Sequence, residues 1–373
     1  MIAELLLDAR GPEIRHRTGI TAPDAFFYLC TPGRKGTVFF DAREYEIQKQ
    51  RLTALGNGIT IERLEPYLER AGTRSGALTR EQKALLEILD DQKIDKLQVS
   101  STLPFAWVKV LQDADIALTM KDFSLERRRK TEREIQEIII CQRITEQACS
   151  MIEDVLRKSI INDGVLMYEG KTLTSEWLKS ETKKFFLEQN LSCPEGIIVA
   201  SGDQTTRPHD DGSGPIKANE AIIIDLFPQS DMTGYCADMT RTFVKGRPSV
   251  ALQRLVDAVG EVQLDIADFL DIGVTCDAVY ARTVEGFKER GFETSPERGF
   301  MHRTGHALGL LIHEDPRFGS EFPDVIEPGM VFTVEPGLYY PGIGGVRIED
   351  IVVFHPDGRK ENITHYHKNF VIS

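Results

Sequence analysis

The chain has 373 residues, which is long enough for two domains with separate hydrophobic cores. Hydrophobic residues make up 41% and charged residues 28%, as in an ordinary globular protein. The 45 basic and 58 acidic residues give a formal net charge of −13, with no basic stripe containing interleaved aromatic residues, so we expect no nucleic-acid partner.

The sequence also argues against export and membrane insertion. Residues 1–15 mix acidic and basic residues around a short leucine run, unlike a signal peptide. No apolar run approaches the roughly 18 residues that a membrane span needs. The six cysteines are scattered without a Cys-x-x-Cys pair, which predicts neither a thiolate zinc site nor a disulfide framework. We therefore expect a reduced, cytoplasmic protein.

The first 120 or so residues alternate predicted strands and predicted helices. Strands are predicted at 25–30, 37–41, 59–61, 97–100 and 116–120, and helices at 42–55, 79–89 and 104–112. This alternation indicates a small α/β domain, which we assign to residues 1–122. We expect this domain to serve in packing, substrate access or dimerisation, because its histidines, cysteines and carboxylates form no metal-like cluster.

The second predicted domain covers residues 123–373. A long helical pattern at 125–160 opens it, with Thr131 and Glu134 at the spacing of a capping box. We interpret the basic cluster at 126–130 as a solvated helix face. Further along the domain we predict helices at 175–188, 250–270 and 276–290, and strands at 197–200, 221–224, 235–244, 331–334 and 346–354.

Carboxylates occupy the first predicted hairpin of this domain. The apolar strand 221–224 ends in Asp225, and the returning strand 235–244 carries Asp238. Like charges facing each other across a sheet are destabilising unless something offsets them, and a bound cation would do so. The alternative is that Asp225 caps a strand end and Asp238 is a solvated edge residue.

A second hairpin repeats this arrangement. Glu335 terminates the apolar strand 331–334, and Glu349 lies in the middle of the predicted strand 346–354. Two helices followed by a carboxylate-bearing hairpin therefore occur twice. This repetition predicts a pseudo-twofold domain whose halves each contribute one hairpin to a central site.

Three of the eight histidines lie within twelve residues between the hairpins, at His302, His306 and His313. Gly305 and Gly309 disfavour a helix in this segment, so we expect a glycine-bent strand or loop. A single histidine here would usually be a core residue with satisfied hydrogen bonds. Three histidines beside four strand-borne acids instead indicate a functional cluster.

Four converging carboxylates would repel one another, and some would have to stay protonated near neutral pH. Two divalent cations would neutralise them. One histidine with four carboxylates suits manganese, cobalt, iron or zinc. Two such ions roughly 3.5 Å apart can bind a bridging water, lower its pKa and present hydroxide to a carbonyl, which predicts metal-assisted hydrolysis.

Several ordered motifs between about residues 125 and 373 carry a family resemblance. They are Asp225, Tyr235-x-x-Asp238-x-Thr240-Arg241-Thr242, Gly305-His306-x-x-Gly309-x-x-x-His313-Glu314, Glu335-Pro336-Gly337 and Gly345-Val346-Arg347-Ile348-Glu349-Asp350. They resemble the pita-bread metallopeptidase family of Xaa-Pro dipeptidase (prolidase), aminopeptidase P and methionine aminopeptidase. The resemblance implies an α+β pita-bread domain with helix-helix-hairpin repeats. The N-terminal domain is similar to the creatinase-type α/β domain of prolidases and aminopeptidases P.

The resemblance also implies two divalent metal ions and a set of metal ligands. Asp225 would bind one ion, Asp238 and Glu349 would bridge the two ions, and His306 and Glu335 would bind the other. Glu335 would also be the general base that takes a proton from the attacking water. Manganese or cobalt is expected first, with zinc or iron as alternatives.

Further residues are implied to act on the substrate. His209, His302 and His313 would position the substrate carbonyl, stabilise the tetrahedral intermediate and shuttle a proton to the leaving nitrogen. Arg347 would anchor the site electrostatically through a carboxylate. Arg317 would either receive a substrate carboxylate or be a surface arginine.

The spacing of this chain departs from the family pattern in two places. The hairpin aspartates are 13 residues apart rather than the usual 11, so the turn carries two extra residues. Because side chains alternate along a strand, an even insertion keeps both acids on the same face. His209 lies 16 residues before Asp225, about one fewer than usual, whereas the separation of 14 between Glu335 and Glu349 is the usual one.

The function that the resemblance implies is a dinuclear-metal exopeptidase that hydrolyses Xaa-Pro bonds, of either dipeptidase or aminopeptidase P type. Its substrate would be a short, proline-containing peptide, and we expect a homodimer. Two alternatives stay open: a metal-dependent hydrolase of a non-peptide amide on the same fold, and a catalytically silent binding or scaffold relative. Methionine aminopeptidase is disfavoured because that enzyme normally lacks the N-terminal domain.

Overall fold

The computed structural model describes residues 1–72 and 78–372. The chain divides into two compact units, Met1–Arg127 and Arg128–Ser373. Separate hydrophobic clusters lie within each unit. All of the candidate site residues belong to the second unit.

The N-terminal unit is built on a six-stranded mixed sheet in the order β4-β3-β2-β1-β5-β6. Its strands are β1 Ile2–Asp8, β2 Phe26–Cys30, β3 Thr37–Phe40, β4 Thr60–Arg63, β5 Lys96–Val99 and β6 Ala117–Met120. Its helices are α1 Pro12–Thr18, α2 Tyr45–Leu55, α3 Glu65–Ala71, α4 Arg80–Asp91, α5 Phe105–Asp113 and α6 Ser124–Arg127.

Both faces of this sheet are covered, because alternate residues of its strands join different clusters. In β2, Phe27 and Leu29 pack with residues of α3, α4 and α5. Phe26 and Tyr28 pack with residues of α1 and α2 on the other side. Strand β1 has no counterpart among the sequence-based predictions, although it lies inside the sheet, antiparallel to β2 and parallel to β5. Its short, nearly continuous apolar run is typical of a strand buried on both faces.

The C-terminal unit contains four long helices and several small sheets. The helices are α7 Glu132–Lys158, α8 Ser175–Glu188, α9 Val250–Phe269 and α10 Cys276–Glu289. The strands of its first half are β7 Ile160–Asn162, β8 Val165–Tyr168, β9 Lys171–Thr172, β10 Leu191–Ser192, β11 Ile198–Ser201, β12 Ile222–Leu226, β13 Gln229–Ser230 and β14 Met239–Lys245. Those of its second half are β15 His306–Ala307, β16 Glu314–Arg317, β17 Val331–Val334, β18 Gly337–Tyr340, β19 Gly344–Arg347, β20 Asp350–Phe354, β21 Lys360–Asn362 and β22 Val371–Ile372.

The two halves of this unit have matching construction. Helices α7 and α8 pack on the antiparallel pair β12 and β14, within a sheet of order β11-β12-β14-β22. Helices α9 and α10 pack on the antiparallel pair β17 and β20, within a sheet of order β16-β15-β17-β20-β21. The predicted fold, a pita-bread domain of two helix-helix-hairpin halves with a separate small α/β unit, is confirmed.

The start of the domain differs from the predicted single helix over 125–160. Helix α7 begins at Glu132, where Thr131 and Glu134 form the predicted capping box. Buried residues then recur every three or four positions, as expected for a helix with one face in the core. The interpretation of cluster 126–130 as a solvated face is wrong for Arg127 and Lys130, which are only 5% and 3% exposed.

The second hairpin also differs from its prediction. The predicted strand 346–354 is interrupted at Ile348 and Glu349, so that β19 and β20 belong to different sheets. Strands β18 and β19 form a two-stranded ribbon inserted between β17 and β20. Glu349 is therefore not a mid-strand residue. Its backbone N–H leaves the local ladder and donates to the carbonyl of Thr240 in β14, 3.0 Å away.

Candidate metal centre

Strand pairing brings the two aspartates of the first hairpin together. Asp225 in β12 pairs with Thr240 in β14. Asp238 lies directly before β14, which begins at Met239, so the prediction that strand 235–244 carries Asp238 is wrong. Asp225 and Asp238 nevertheless line the same cavity. Both side chains are buried, at 7% and 5% exposure.

The two glutamates of the second half are positioned by hydrogen bonds to other segments of the unit. Glu335 follows β17 directly, and its N–H donates to the carbonyl of Thr304 at 2.8 Å. Glu349 is held from the first half, since Arg241 donates to its carbonyl at 2.6 Å. Thr240 donates its hydroxyl to the Glu349 carboxylate at 2.8 Å. The acids of both halves are thus fixed in one region.

The histidine segment is a glycine-bent strand and loop, as predicted. His306 lies in the short strand β15, and its N–H donates to the hydroxyl of Thr333 in β17 at 3.1 Å. A Cβ on Gly305 would lie 2.0 Å from the carbonyl oxygen of Thr333. Only glycine permits this close approach of the segment to β17.

These elements bring three candidate ligands into one cluster. Asp238, His306 and Glu349 each offer a ligand atom, and the three atoms lie within 4.8 Å of one another. The His306 Nε2 atom is 3.6 Å from Asp238 Oδ2 and 3.5 Å from Glu335 Oε1. All three clustered residues are buried. Burial is unusual for acids such as Asp238 and Glu349 that are not paired with a positive charge.

The protonation of His306 suits a metal ligand. Burial lowers the pKa of His306 to about 3, and the neighbouring His313 is the second cause of this shift. The ring is therefore neutral. Its Nδ1 atom lies 3.2 Å from the carbonyl oxygen of Ala307, which makes Nδ1 the protonated nitrogen. The Nε2 lone pair therefore faces carboxylate oxygens of Asp238 and Glu335. A cation between these atoms would turn this unfavourable contact into coordination.

The carboxylates show the same need for positive charge. Burial is the main cause that raises the pKa of Asp238 well above its ordinary value, and repulsion from Glu349 is the second. The pKa of Glu349 is also raised well above its ordinary value, mainly by burial and then by repulsion from Glu335. Burial also raises the pKa of Glu335 to about 8, although Arg347 acts in the opposite direction. Without cations, the cluster would hold protons near neutral pH.

Asp225 supplies an independent indication that the site fits a cation. Its Oδ2 atom accepts a hydrogen bond from Arg347 Nη2 at 2.6 Å. Its Oδ1 atom is buried and, within the part of the chain that the structure describes, has no hydrogen-bond partner. An unpaired buried carboxylate oxygen is costly, and coordination of a hard cation would satisfy it. The residues present therefore fit divalent metal ions.

A chain of hydrogen bonds connects Arg347 to His302 through Tyr339. Arg347 Nη1 donates to the Tyr339 hydroxyl at 2.7 Å, and that hydroxyl lies 2.8 Å from His302 Nε2. His302 Nδ1 lies 2.7 Å from the carbonyl oxygen of Arg303. Burial lowers the pKa of His302 to about 3, and the positive charge of Arg347 is the second cause of this shift. Neutral His302 thus donates from Nδ1 and accepts at Nε2 from Tyr339.

All of the sequence-predicted site residues line one cavity of about 1310 Å³ in the C-terminal unit. His209 and His313 are exposed on its walls, and Arg317 is half-buried. The rings of His313 and His306 meet at a centroid separation of 4.5 Å and an angle of 65°. The cavity therefore combines a buried floor of acids with titratable side chains that a bound molecule can reach.

Sequence reasoning assigned no role to two residues of this site. Tyr339 joins His302 to Arg347, and Thr240 contacts both Glu349 and Arg347. Tyr339 lies in β18, which pairs with β19, the strand that ends in Arg347. The alternation of side chains along β18 is the sequence signal that could have identified Tyr339 as a site residue. Thr240 lies two residues after Asp238, inside the motif Tyr235-x-x-Asp238-x-Thr240-Arg241-Thr242.

Comparisons with known proteins agree with this geometry. Residues 136–356 match metallopeptidase family M24. An Xaa-Pro dipeptidase from Pyrococcus horikoshii is 26% identical over 365 residues, which cover 96% of this chain and 92% of that protein. No helix in residues 1–72 and 78–372 has the length and apolar character needed to span a membrane.

Solved structures are similar over the whole chain. The Xaa-Pro dipeptidase from Bacillus anthracis has a TM-score of 0.81 at 27% identity and covers 100% of this chain and 95% of that one. The X-Pro aminopeptidase from Thermotoga maritima has a TM-score of 0.80 at 23% identity and covers 100% and 98%, a likeness in fold. The chain therefore belongs to metallopeptidase family M24, and it is a peptidase whose family implies divalent metal ions.

Proposed function

We propose that the chain is a dinuclear-metal exopeptidase that hydrolyses Xaa-Pro bonds, with dipeptides as its first substrates. The observation that carries the proposal is the convergence of buried acids and a neutral histidine on the floor of one large cavity. The similarity to proteins named Xaa-Pro dipeptidase and X-Pro aminopeptidase supports the substrate class but does not separate the two types.

The proposed metal ligands divide into two sets. Asp225, through its unpaired Oδ1 atom, would hold one ion together with Asp238 and Glu349. His306 and Glu335 would hold the other, again with Asp238 and Glu349 shared. Bound divalent ions supply Lewis acidity and lower the pKa of water, and manganese or cobalt suits this oxygen-rich set.

Glu335 is the proposed general base. Its Oε1 atom lies 3.5 Å from His306 Nε2, and its side chain borders the cavity. This position allows it to take a proton from a water molecule that attacks a carbonyl above the cluster. Arg347 binds Asp225 and so fixes one wall of the site.

The histidines are proposed to have different tasks. His302 has both ring nitrogens engaged, so its task would be to position Tyr339 and Arg347. His209 and His313 are exposed to the cavity and would bind the substrate carbonyl and deliver a proton to the leaving nitrogen. The proline nitrogen must gain a proton to leave as a secondary amine, so a proton donor is needed.

Arg317 supports a preference for dipeptides. It lies in β16, paired with His306 of β15, and its side chain borders the cavity. Its Nε atom donates to Asp315 Oδ1 at 3.1 Å, which orients the guanidinium. A guanidinium one strand away from the metal cluster could bind the free carboxylate of a C-terminal proline, a pairing that guanidinium geometry favours.

Other expectations stay predictions. They are the boundary between domains 1–122 and 123–373, a role for the N-terminal unit in access or dimerisation, a homodimer, and a cytoplasmic location. A non-peptide amide as substrate has no specific support in the cavity.

The first test is hydrolysis by the manganese- or cobalt-loaded protein. We expect cleavage of Gly-Pro-type dipeptides, with slower cleavage of longer Xaa-Pro peptides. Asp238→Asn should lose at least ~100-fold in kcat/KM, since it removes a proposed shared ligand. Asp257→Asn, on an exposed face of α9, is the matched control and should keep wild-type activity. The proposal fails if the wild type cleaves neither substrate or if Asp238→Asn matches it.

The second test concerns Arg317. Arg317→Ala should raise KM for Gly-Pro by roughly 10- to 100-fold, because a charge-assisted pair contributes about 1.5–3 kcal/mol. KM for the C-terminal amide of the same dipeptide should change little. Arg133→Ala, at an exposed position of α7, is the control. An equal change for acid and amide substrates would argue against carboxylate binding by Arg317.

The third test uses the pH dependence of stability without metal. Glu335 has an ordinary pKa near 4.5 when unfolded and a pKa of about 8 in the metal-free fold, so the folded state binds an extra proton between these values. The free energy of unfolding should therefore fall as the pH rises from 5 to 8, by up to about 1.4 kcal/mol per pH unit for each such group. Adding manganese at pH 8 should restore it.

Urea unfolding followed by Trp177 fluorescence in a Trp107→Phe background measures this effect, because the chain has two tryptophans and Trp177 reports on the C-terminal unit. Glu335→Gln should show a weaker pH dependence than the parent. A metal-free protein whose stability stays constant or rises over this pH range would contradict the assigned electrostatics.

A further inference from the structure

We propose that Gln229 is a positioning residue that holds His313 against His306. Its side-chain amide connects the turn of the first metal hairpin to the loop at residues 308–313, which we call the histidine loop. The proposal rests on the proposed function in so far as His313 acts on substrate. Its geometric part, the placement of the His313 ring, can be tested without substrate.

The turn of the hairpin is held by backbone hydrogen bonds. Ser230 and Tyr235 are joined by an N–H to carbonyl hydrogen bond of 2.9 Å, and Gly234 donates back to Ser230 at 2.8 Å. Strand β13 pairs with β10, so the turn is also attached to the segment that follows α8. The N–H of Asp231 donates to the carbonyl of Asn190 at 3.0 Å. Gln229 therefore projects from a turn that is held on two sides.

From this turn, two hydrogen bonds reach the histidine loop. Gln229 Nε2 donates to the carbonyl oxygens of Gly234, at 2.9 Å, and Leu310, at 3.0 Å. The backbone N–H of Cys236 donates to the carbonyl of Gly309 at 2.8 Å. One side-chain amide thus joins the turn internally and attaches it to the loop, using both of its N–H groups.

His313 depends on the loop backbone for its position. Its side chain is 54% exposed, and its Nδ1 atom lies 4.0 Å from Glu195 Oε2, beyond hydrogen-bonding distance. Its defined contact is with the His306 ring, at a centroid separation of 4.5 Å. Within the described residues, the His306 ring is the aromatic contact of this half-exposed ring, so the ring follows movement of its backbone. Restraint of Leu310, three residues earlier, therefore restrains the ring.

The other end of the histidine loop has its own attachment. Glu314 forms a buried ion pair with Lys130, with Oε2 and Nζ 3.0 Å apart and the side chains 4% and 2% exposed. A Cβ at Gly309 would lie 2.9 Å from Lys130 Cε, so the loop is packed against this pair. The loop is thus fixed at Gly309 by the N–H of Cys236, at Leu310 by Gln229, and at Glu314 by Lys130, with His313 between the last two. Loss of the Gln229 amide would release Leu310.

Gln229→Glu is the first test variant, because it keeps the size of the side chain but presents carboxylate oxygens to two carbonyl oxygens. Gln229→Met, which removes the hydrogen bonds without adding charge, is the second variant if the first folds poorly. Gln50→Glu, exposed in α2 of the N-terminal unit, is the matched control. With Gly-Pro as substrate, we expect kcat to fall about tenfold for both Gln229 variants, with KM changed less than twofold and the control unchanged.

Each Gln229 variant is also made in a His313→Ala background. If Gln229 acts through His313, the further loss of kcat in that background should be less than twofold, because residues that act as one unit are not additive. An equal loss in both backgrounds would show that Gln229 has a general structural role and would overturn the proposal. Unchanged kcat in every Gln229 variant would overturn it as well.

A crystal structure of the metal-loaded Gln229 variants gives a readout that needs no activity. We expect the separation of the His306 and His313 ring centroids to increase from 4.5 Å to beyond ~6 Å, or the His313 ring to lose defined density, while His306 stays in place. If the wild type hydrolyses no substrate, the proposed function fails, and this separation alone decides the positioning role. A His313 ring at its original position would reject it.

Discussion

Repulsion among buried acids is the constraint on which the C-terminal unit depends. Asp225, Asp238 and Glu349 are at most 7% exposed, and Glu335 borders the same cavity. Among residues 1–72 and 78–372, Arg347 is the arginine or lysine that forms an ion pair with this group, and it is already bound to Asp225, Tyr339 and Thr240. A single guanidinium cannot balance four carboxylates. Divalent cations would supply the missing charge and would also satisfy the neutral His306.

The fold resists this repulsion by connecting its two halves directly behind the acids. Glu349 donates its N–H to Thr240, and Arg241 donates to the carbonyl of Glu349. Arg241 also forms a buried ion pair with Asp350 at 2.8 Å, which Lys368 contacts as well. These bonds hold the backbone of Glu349 against the first half of the unit. A site held in this way is pre-organised for metal binding and for the transition state.

Local sequence patterns predicted a large part of this arrangement. Apolar runs ending in acids located both hairpins, and the glycines around His306 excluded a helix. The capping-box spacing of Thr131 and Glu134 was recognised, but the helix was predicted to begin near residue 125 rather than at Glu132. The spacing of 13 residues between Asp225 and Asp238 predicted one shared face, and both residues line the same cavity. Each of these features depends on neighbours a few residues away, so sequence alone contains it.

The features that were missed depend on distant parts of the chain. Lys130 looks solvated in sequence and is buried because Glu314, 184 residues later, lies against it. The interruption at Glu349 follows from a hydrogen bond to Thr240 in the other half of the unit. Tyr339 belongs to the site because its hydroxyl is hydrogen-bonded to both His302 and Arg347. Periodicity and composition contain no information about such pairings.

The central claim is that paired divalent ions neutralise the carboxylate cluster. The most direct test is an equilibrium titration of the metal-stripped protein with Mn²⁺ at neutral pH, followed by metal analysis of the separated protein. We expect two ions bound per chain in the wild type and fewer than two in His306→Ala. Fewer than two ions bound by the wild type at saturating Mn²⁺, or an unchanged stoichiometry in His306→Ala, would contradict paired binding.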